Sequence, residues 1–249
     1  MIVIGHRGAR GEAPENTLPS FLHAMTGGIR NFELDVRLSW DERPVVIHDE
    51  QVDRTTGETG AVAGFPASQL AAMDARTNTP RWPVPAGIPT LEEVLLACGD
   101  VDHWQLEIKA DKPARIRILV GKIAELLARL KMADRATLTS LDRNVLKIAR
   151  QEAALLARGY VAETNEPAPV AAAEKLGCSL LVSNWRITGD DLVRDAHAAG
   201  LAVSVWTVND LMIAERLINL GVDSIITDFP TALLAHVRMR EQLAGTRPS

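Results

Sequence analysis

The sequence predicts an α/β protein built as a TIM (β/α)8 barrel. Short β-type runs alternate with amphipathic helical runs along the 249-residue chain. In the C-terminal half, helical runs stop at Gly177, Gly200 and Gly221, and an apolar run resumes within a residue or two. That rhythm marks repeated βα units around a parallel sheet, with glycine supplying the left-handed cap of each helix. The number of units and the absence of a GxGxxG turn favour a closed barrel over a doubly wound open sheet.

Candidate strands cover 2–6, 32–37, 44–48, 103–109, 136–139, 155–161, 179–183, 201–206 and 223–227. Candidate helices cover 16–26, 90–97, 112–130, 142–152, 167–176, 189–199, 209–219 and 230–242. Eight units result if 44–48 continues the second strand beyond a turn at Asp41-Glu42-Arg43-Pro44. One of Asn16 and Thr17 is expected to cap the first helix, and Asn209, Asp142 and Asp190 read as caps of later ones. Residues 50–89 break the rhythm with Gly57, Gly60, Gly64, Pro66, Pro80, Pro83, Pro85 and Pro89, leaving one short helical run near 67–73. We read 1–249 as a single catalytic domain and 50–89 as an insertion over one barrel mouth.

Composition excludes several classes. A net charge of -5 argues against a broad electrostatic footprint for nucleic acid or an anionic membrane. It leaves room for a small anionic substrate beside a bound cation. No apolar run is long enough to span a bilayer, and no signal-type segment opens the sequence. Cys98 and Cys178 lack CxxC neighbours and read as reduced thiols. A cytoplasmic protein without membrane insertion is the expectation.

Strand phase then locates the chemistry. Alternate strand residues share a face, so Ile2, Ile4 and His6 point together, as do Glu33, Asp35 and Arg37. Phe32, Leu34 and Val36 suit packing under helices, which turns Glu33 and Asp35 inward. Glu107 and Lys109 share a face, as do Val46 and His48, Ser204 and Trp206, and Ile226 and Asp228. Carboxylates buried together need a cation, and oxygen donors of this kind suit Mg²⁺ or Ca²⁺. Histidines move protons near neutral pH. Taken singly, a strand-end histidine, Trp206 or a Glu-x-Lys pair is more often structural. Two histidines, three carboxylates, Arg7 and Lys109 at the C-terminal ends of barrel strands are not readily chance.

The ordered set Gly5-His6-Arg7-Gly8, Pro14-Glu15-Asn16-Thr17, Glu33-Leu34-Asp35-Val36, Pro44-Val45-Val46-Ile47-His48-Asp49, Asp53-Arg54-Thr55-Thr56, Glu107-Ile108-Lys109, Trp206-Thr207-Val208-Asn209 and Thr227-Asp228-Phe229-Pro230 spans almost the whole chain. It resembles the glycerophosphodiester phosphodiesterase family in its short bacterial cytoplasmic form. Leu141 departs from that resemblance, standing where an aromatic often follows the serine of the fourth unit. The resemblance implies hydrolysis of a small glycerophosphodiester to sn-glycerol 3-phosphate and an alcohol. It implies one divalent metal ion on Glu33, Asp35 and Glu107, with His6 as general base and His48 as general acid. Arg7 and Lys109 would hold phosphoryl oxygens, Trp206 would wall the glycerol, and Glu15 would be a further site residue near the metal. A lysophospholipid-cleaving phospholipase D would need an apolar acyl groove, which the sequence does not show. A non-catalytic binding module could lose a histidine or a carboxylate, and none is lost.

Overall fold

The computed structural model describes residues 1–79 and 81–245. Pro80, one of the prolines that mark the 50–89 segment, lies outside the described residues. Eight parallel strands close into a barrel in the order β1 (Ile2–His6), β2 (Asn31–Leu38), β4 (His103–Ile108), β5 (Ala136–Ser140), β6 (Ala157–Ala162), β7 (Leu180–Asn184), β8 (Ala202–Trp206) and β9 (Ser224–Thr227). Closure comes from β1, which pairs with β9 on one side and with β2 on the other, His6 opposite Glu33.

The eight-strand count stands, but 44–48 corrects one expectation. It does not prolong β2. β3 (Pro44–Val46) folds back antiparallel on β2, with Val36 opposite Val46 and Leu38 opposite Pro44. It takes the edge of β2 that β1 vacates when it ends at His6. The Ile47 N–H then donates to the Asp35 carbonyl at 3.0 Å, and the chain delivers His48 over the barrel mouth.

Helices α1 (Leu18–Thr26), α5 (Pro113–Arg129), α6 (Arg143–Glu152), α7 (Pro169–Leu176), α8 (Asp190–Ala198), α9 (Leu211–Asn219) and α10 (Pro230–Gly245) lie between the strands. α4 (Leu91–Ala97) starts at a capping box in which Thr90 and Glu93 satisfy each other's backbone amides. Asp142 caps α6 as expected, accepting from the Asn144 amide. Asp190 does not cap α8. Gly189 holds the cap position with extended backbone, and Asp190 falls inside the first turn. The connection from β3 to α4 carries α2 (Asp53–Thr56) and α3 (Ala67–Ala72). It packs a small apolar cluster of its own around Val52, Val62, Leu70, Met73 and Ile88. Cys98 and Cys178 are free thiols, each pushed up to about 11 by burial.

The main core lies between strands and helices. Phe32, Leu34 and Val36 of β2 and Trp104, Leu106 and Ile108 of β4 are buried there, which turns their neighbours into the barrel. The interior divides by side. Ile4, Val161, Leu180, Val182 and Ile226 form an apolar group on β1, β6, β7 and β9. The side formed by β2 and β4 carries Glu33, Asp35, Gln105 and Glu107. Gly159 of β6 suits this filling: a Cβ there would press on the Thr139 side chain at 3.0 Å and the Leu180 side chain at 3.1 Å.

Phe21 of α1, Phe32 and Trp104 lock β2 and β4 against the helical layer, with ring centroids 5.5 to 5.8 Å apart. Trp104→Ala is expected to destabilise the chain by about 3–5 kcal/mol in urea unfolding, the range for a fully buried aromatic. A loss below about 1 kcal/mol would show that these strands are not fixed by that contact.

Candidate active site

The turn after β1 sets the first group. Gly8 has φ +86° and a Cβ there would lie 2.5 Å from Ser20 Oγ, so only glycine fits. Arg7 itself adopts φ 51°. Its amide donates to the Glu33 carbonyl at 3.0 Å and to Glu33 Oε2 at 3.2 Å, which ties the loop to β2. The guanidinium then runs between Asp35, with Nε 3.0 Å from Oδ2, and Glu15, which accepts from Nη1 at 2.8 Å.

Glu33, Asp35 and Glu107 converge as the strand phase predicts. One oxygen from each lies within 4.8 Å of the others. Lys109 Nζ sits 2.7 Å from Asp35 Oδ1 and 2.7 Å from Glu107 Oε1. Three carboxylates against Arg7 and Lys109 leave one net negative charge, and Arg7 is further shared with Glu15. Burial, then Asp35 and Glu107, push the Glu33 carboxyl well above the usual carboxylate range. Burial likewise pushes Glu107 up. Burial acts against the Asp35 charge too, but Arg7 and Lys109 outweigh it and hold Asp35 far below that range. Glu33 Oε1 is buried and receives no hydrogen bond. An all-oxygen donor set with an orphaned buried oxygen and surplus negative charge fits a hard divalent cation.

Both histidines are held by aspartates. His6 Nδ1 lies 2.5 Å from Asp228 Oδ1, and Asp228 Oδ2 accepts from Asn209 Nδ2 at 2.8 Å. Burial acts against the Asp228 charge, but the bonds from His6 and Asn209, with the charge of Arg10 nearby, together outweigh it and keep the carboxylate ionised. An ionised carboxylate only accepts, so Nδ1 carries the proton and Nε2 presents its lone pair, 3.8 Å from Glu33 Oε2. Burial lowers the His6 pKa and favours the neutral ring. His48 repeats the scheme, with Nδ1 2.6 Å from Asp49 Oδ1, while Asp49 also takes a short contact from Arg54. Arg37 donates to the His48 carbonyl at 2.8 Å. His48 is half-buried at the mouth, whereas His6 lies below it.

These groups line a cavity of about 300 Å³. Arg7, Lys109 and the histidines face Val161, Val182, Ile226 and Trp206 across it. Trp206 Nε1 donates to the Val182 carbonyl at 3.2 Å, which fixes the indole as part of that wall.

Of the predicted site residues, His6, Arg7, Glu33, His48, Glu107, Lys109 and Trp206 line this cavity, and Asp35 is buried behind them within reach of Glu33 and Glu107. Glu15 lies instead in a knot of cations, accepting from Arg7 and twice from Arg54, with Arg10 3.2 Å away. Burial opposes its charge, but Arg54 and Arg7 bring it down to about 2. Asn16 is not the helix cap. Its Nδ2 donates to Asp35 Oδ2 at 2.8 Å, and Thr17 takes the cap position of α1. Asn209 is no cap either, because Asp210 receives the Met212 and Ile213 amides. Sequence reasoning missed Asp228, Asn209, Asp49, Arg54 and Arg37 as supports, and Glu163 on the cavity wall. Asp228 was legible by phase, sharing a face with Ile226, and Asp49 by adjacency to His48.

Comparison with known proteins agrees with this geometry. The profile of the glycerophosphoryl diester phosphodiesterase family matches residues 6–232. A glycerophosphodiester phosphodiesterase from Caldanaerobacter subterraneus subsp. tengcongensis is 33% identical over 241 residues, covering 95% of this chain and 98% of the relative. A solved structure of a phosphodiesterase from Oleispira antarctica, in complex with the product sn-glycerol-3-phosphate, superposes with TM-score 0.85 at 29% identity, covering 96% of this chain and 97% of the other. A crystal structure from Silicibacter pomeroyi described as a putative glycerophosphoryl diester phosphodiesterase superposes with TM-score 0.85 at 28% identity, covering 92% of this chain and 90% of the other. With its histidines and carboxylates gathered at the mouth of the same barrel, the chain belongs to the glycerophosphoryl diester phosphodiesterase family.

Proposed function

We propose that the chain hydrolyses glycerophosphodiesters to sn-glycerol 3-phosphate and an alcohol with one divalent cation, Mg²⁺ or Ca²⁺, held by Glu33, Asp35 and Glu107. The observation that carries this reading is the meeting of those three carboxylates beside two aspartate-held histidines. When bound, the cation offsets charge on a phosphoryl oxygen and makes phosphorus a better electrophile.

The chain's own residues do the rest. Arg7 and Lys109 steady the non-bridging oxygens, and the Trp206 wall shelters the glycerol carbons. His6 Nε2 takes the proton of the attacking hydroxyl as the new P–O bond forms. The P–O bond to the alcohol breaks, and His48 gives its proton to the departing alkoxide. Burial and neutrality suit His6 to the base role, while exposure at the mouth suits His48 to recharging from solvent. Asp228 holds His6 in the tautomer that leaves Nε2 free to accept, and Asp49 on Nδ1 supports the doubly protonated form of His48, whose Nε2 proton is the one given up. We take residues 1–249 as one catalytic domain, the 50–89 segment as its cover over the mouth, and the cytoplasm as its compartment. Arg54 of that segment, bonded to Asp49 and Glu15, supports the cover role. Among the described residues no helix is long and apolar enough to cross a membrane.

EDTA is expected to abolish release of glycerol 3-phosphate from glycerophosphocholine, and added Mg²⁺ or Ca²⁺ to restore it. Undiminished turnover after chelation would rule the cation out. His48→Ala should cost ~10²–10⁴-fold on that substrate, but far less when the leaving group is p-nitrophenol, which needs no proton. His6→Ala should cost a similar factor on both. Equal losses in His48→Ala on the two substrates would reverse or remove the acid assignment.

A further inference from the structure

A second cavity, of about 700 Å³, runs along the barrel's outer flank between α6 and α7. Leu141 lines both this groove and the catalytic cavity, and Ala110, next to Lys109, also borders the groove. The groove therefore opens from the active-site mouth. Arg143, Lys147 and Arg150 stand along its α6 wall, and Lys175 on its α7 wall. All four are exposed. Its one acidic residue, Asp142, is occupied as the cap of α6.

These cations differ from many others among the described residues. Arg7, Arg10, Arg43, Arg54, Arg115, Arg117 and Arg129 each have a carboxylate partner. Among the described residues, none of the four groove cations has one. The chain is acidic overall, so a concave strip of unpaired positive charge is not a consequence of composition. A cleft lined by one sign focuses its field on a ligand of the other. Spacing at i, i+4 and i+7 puts the three α6 cations on one helix face over about 10 Å. That length accommodates more than one phosphate of an extended chain. No aromatic side chain lines the groove, which removes the stacking platform that single-stranded nucleic acid uses. Its concavity suits a chain rather than a planar bilayer.

We infer that the groove binds phosphate groups carried by the alcohol half of the diester, so that this enzyme takes substrates whose leaving alcohol is itself phosphorylated, such as short glycerol-phosphate chains. The inference rests on the phosphodiesterase reading above. The reacting phosphate occupies the catalytic cavity, the chain passes Leu141, and the next phosphates meet Arg143, Lys147, Arg150 and Lys175. Arginine grips such groups in two-pronged fashion and lysine as a point charge.

The test compares kcat/KM for glycerophosphoglycerol with that for a synthetic glycerol-phosphate oligomer, in the wild type and in Lys147→Gln/Arg150→Gln. Calorimetric binding of the oligomer is measured alongside. The wild type is expected to favour the oligomer by roughly tenfold or more, with the advantage shrinking as salt is added. The double variant should fall towards parity and bind the oligomer correspondingly less. Lys147→Glu, a single exposed change, serves if the double variant melts early. Equal kcat/KM for the two substrates in the wild type would overturn the inference. So would a preference that survives in the variants, or binding to phosphatidylglycerol vesicles without binding to the oligomer. Groove-dependent oligomer binding with no hydrolysis of either diester would support the groove as a phosphate-chain site and count against the phosphodiesterase reading instead.

Discussion

Three carboxylates in a low-dielectric barrel interior are the constraint around which this mouth is organised. Glu33, Asp35 and Glu107 repel one another, and the interior gives them little water. The fold answers with Arg7 from the turn after β1 and Lys109 from the end of β4, and these cations impose geometry of their own. Arg7 reaches Asp35 because its backbone is left-handed and Gly8 and Ser20 leave room for the turn. Asn16 adopts φ 57° and spends its amide on Asp35. Glu15 then balances the guanidinium and is itself balanced by Arg54. A chain of charge compensation thus links β1, β2, β4 and the 50–89 segment.

The barrel's division into an apolar and a charged side has a functional consequence. Ile4, Val161, Val182 and Ile226 exclude water from one half, so dipoles and charges on the other act with little screening. The histidines stand at the boundary. Each is oriented from behind by an aspartate, and each aspartate is fixed by a further donor, Asn209 for Asp228 and Arg54 for Asp49. Layered support of this kind sets ring orientation more firmly than a single contact.

Much of this was legible in the sequence because strand parity is a strict rule. Once Phe32, Leu34 and Val36 are assigned to the helix side, Glu33 and Asp35 have nowhere to point but inward. The same rule turned His6, Glu107 and Trp206 to the interior. What the sequence did not reveal are partnerships closed only by the barrel. His6 and Asp228 are 222 positions apart and meet because β1 closes against β9. Asn209 read as a cap because it precedes a helix, yet the neighbouring Asp210 takes that task and frees Asn209 for Asp228. Asp190 failed as a cap because Gly189 already holds the extended conformation. The 44–48 run was legible as extended but not as antiparallel, since its direction depends on which edge of β2 is vacant. The basic groove was invisible in a net charge that averages over the whole chain.

One ion bound where the three carboxylates meet is what the proposed hydrolysis depends on, and direct titration of Mn²⁺ into the chelator-treated chain tests that most directly. The prediction is one ion per chain in the wild type, with Glu33→Gln and Glu107→Gln each weakening binding by more than the ~10–100-fold lost with an outer-shell partner. Saturation unchanged in both variants, or no binding in the wild type, would contradict it.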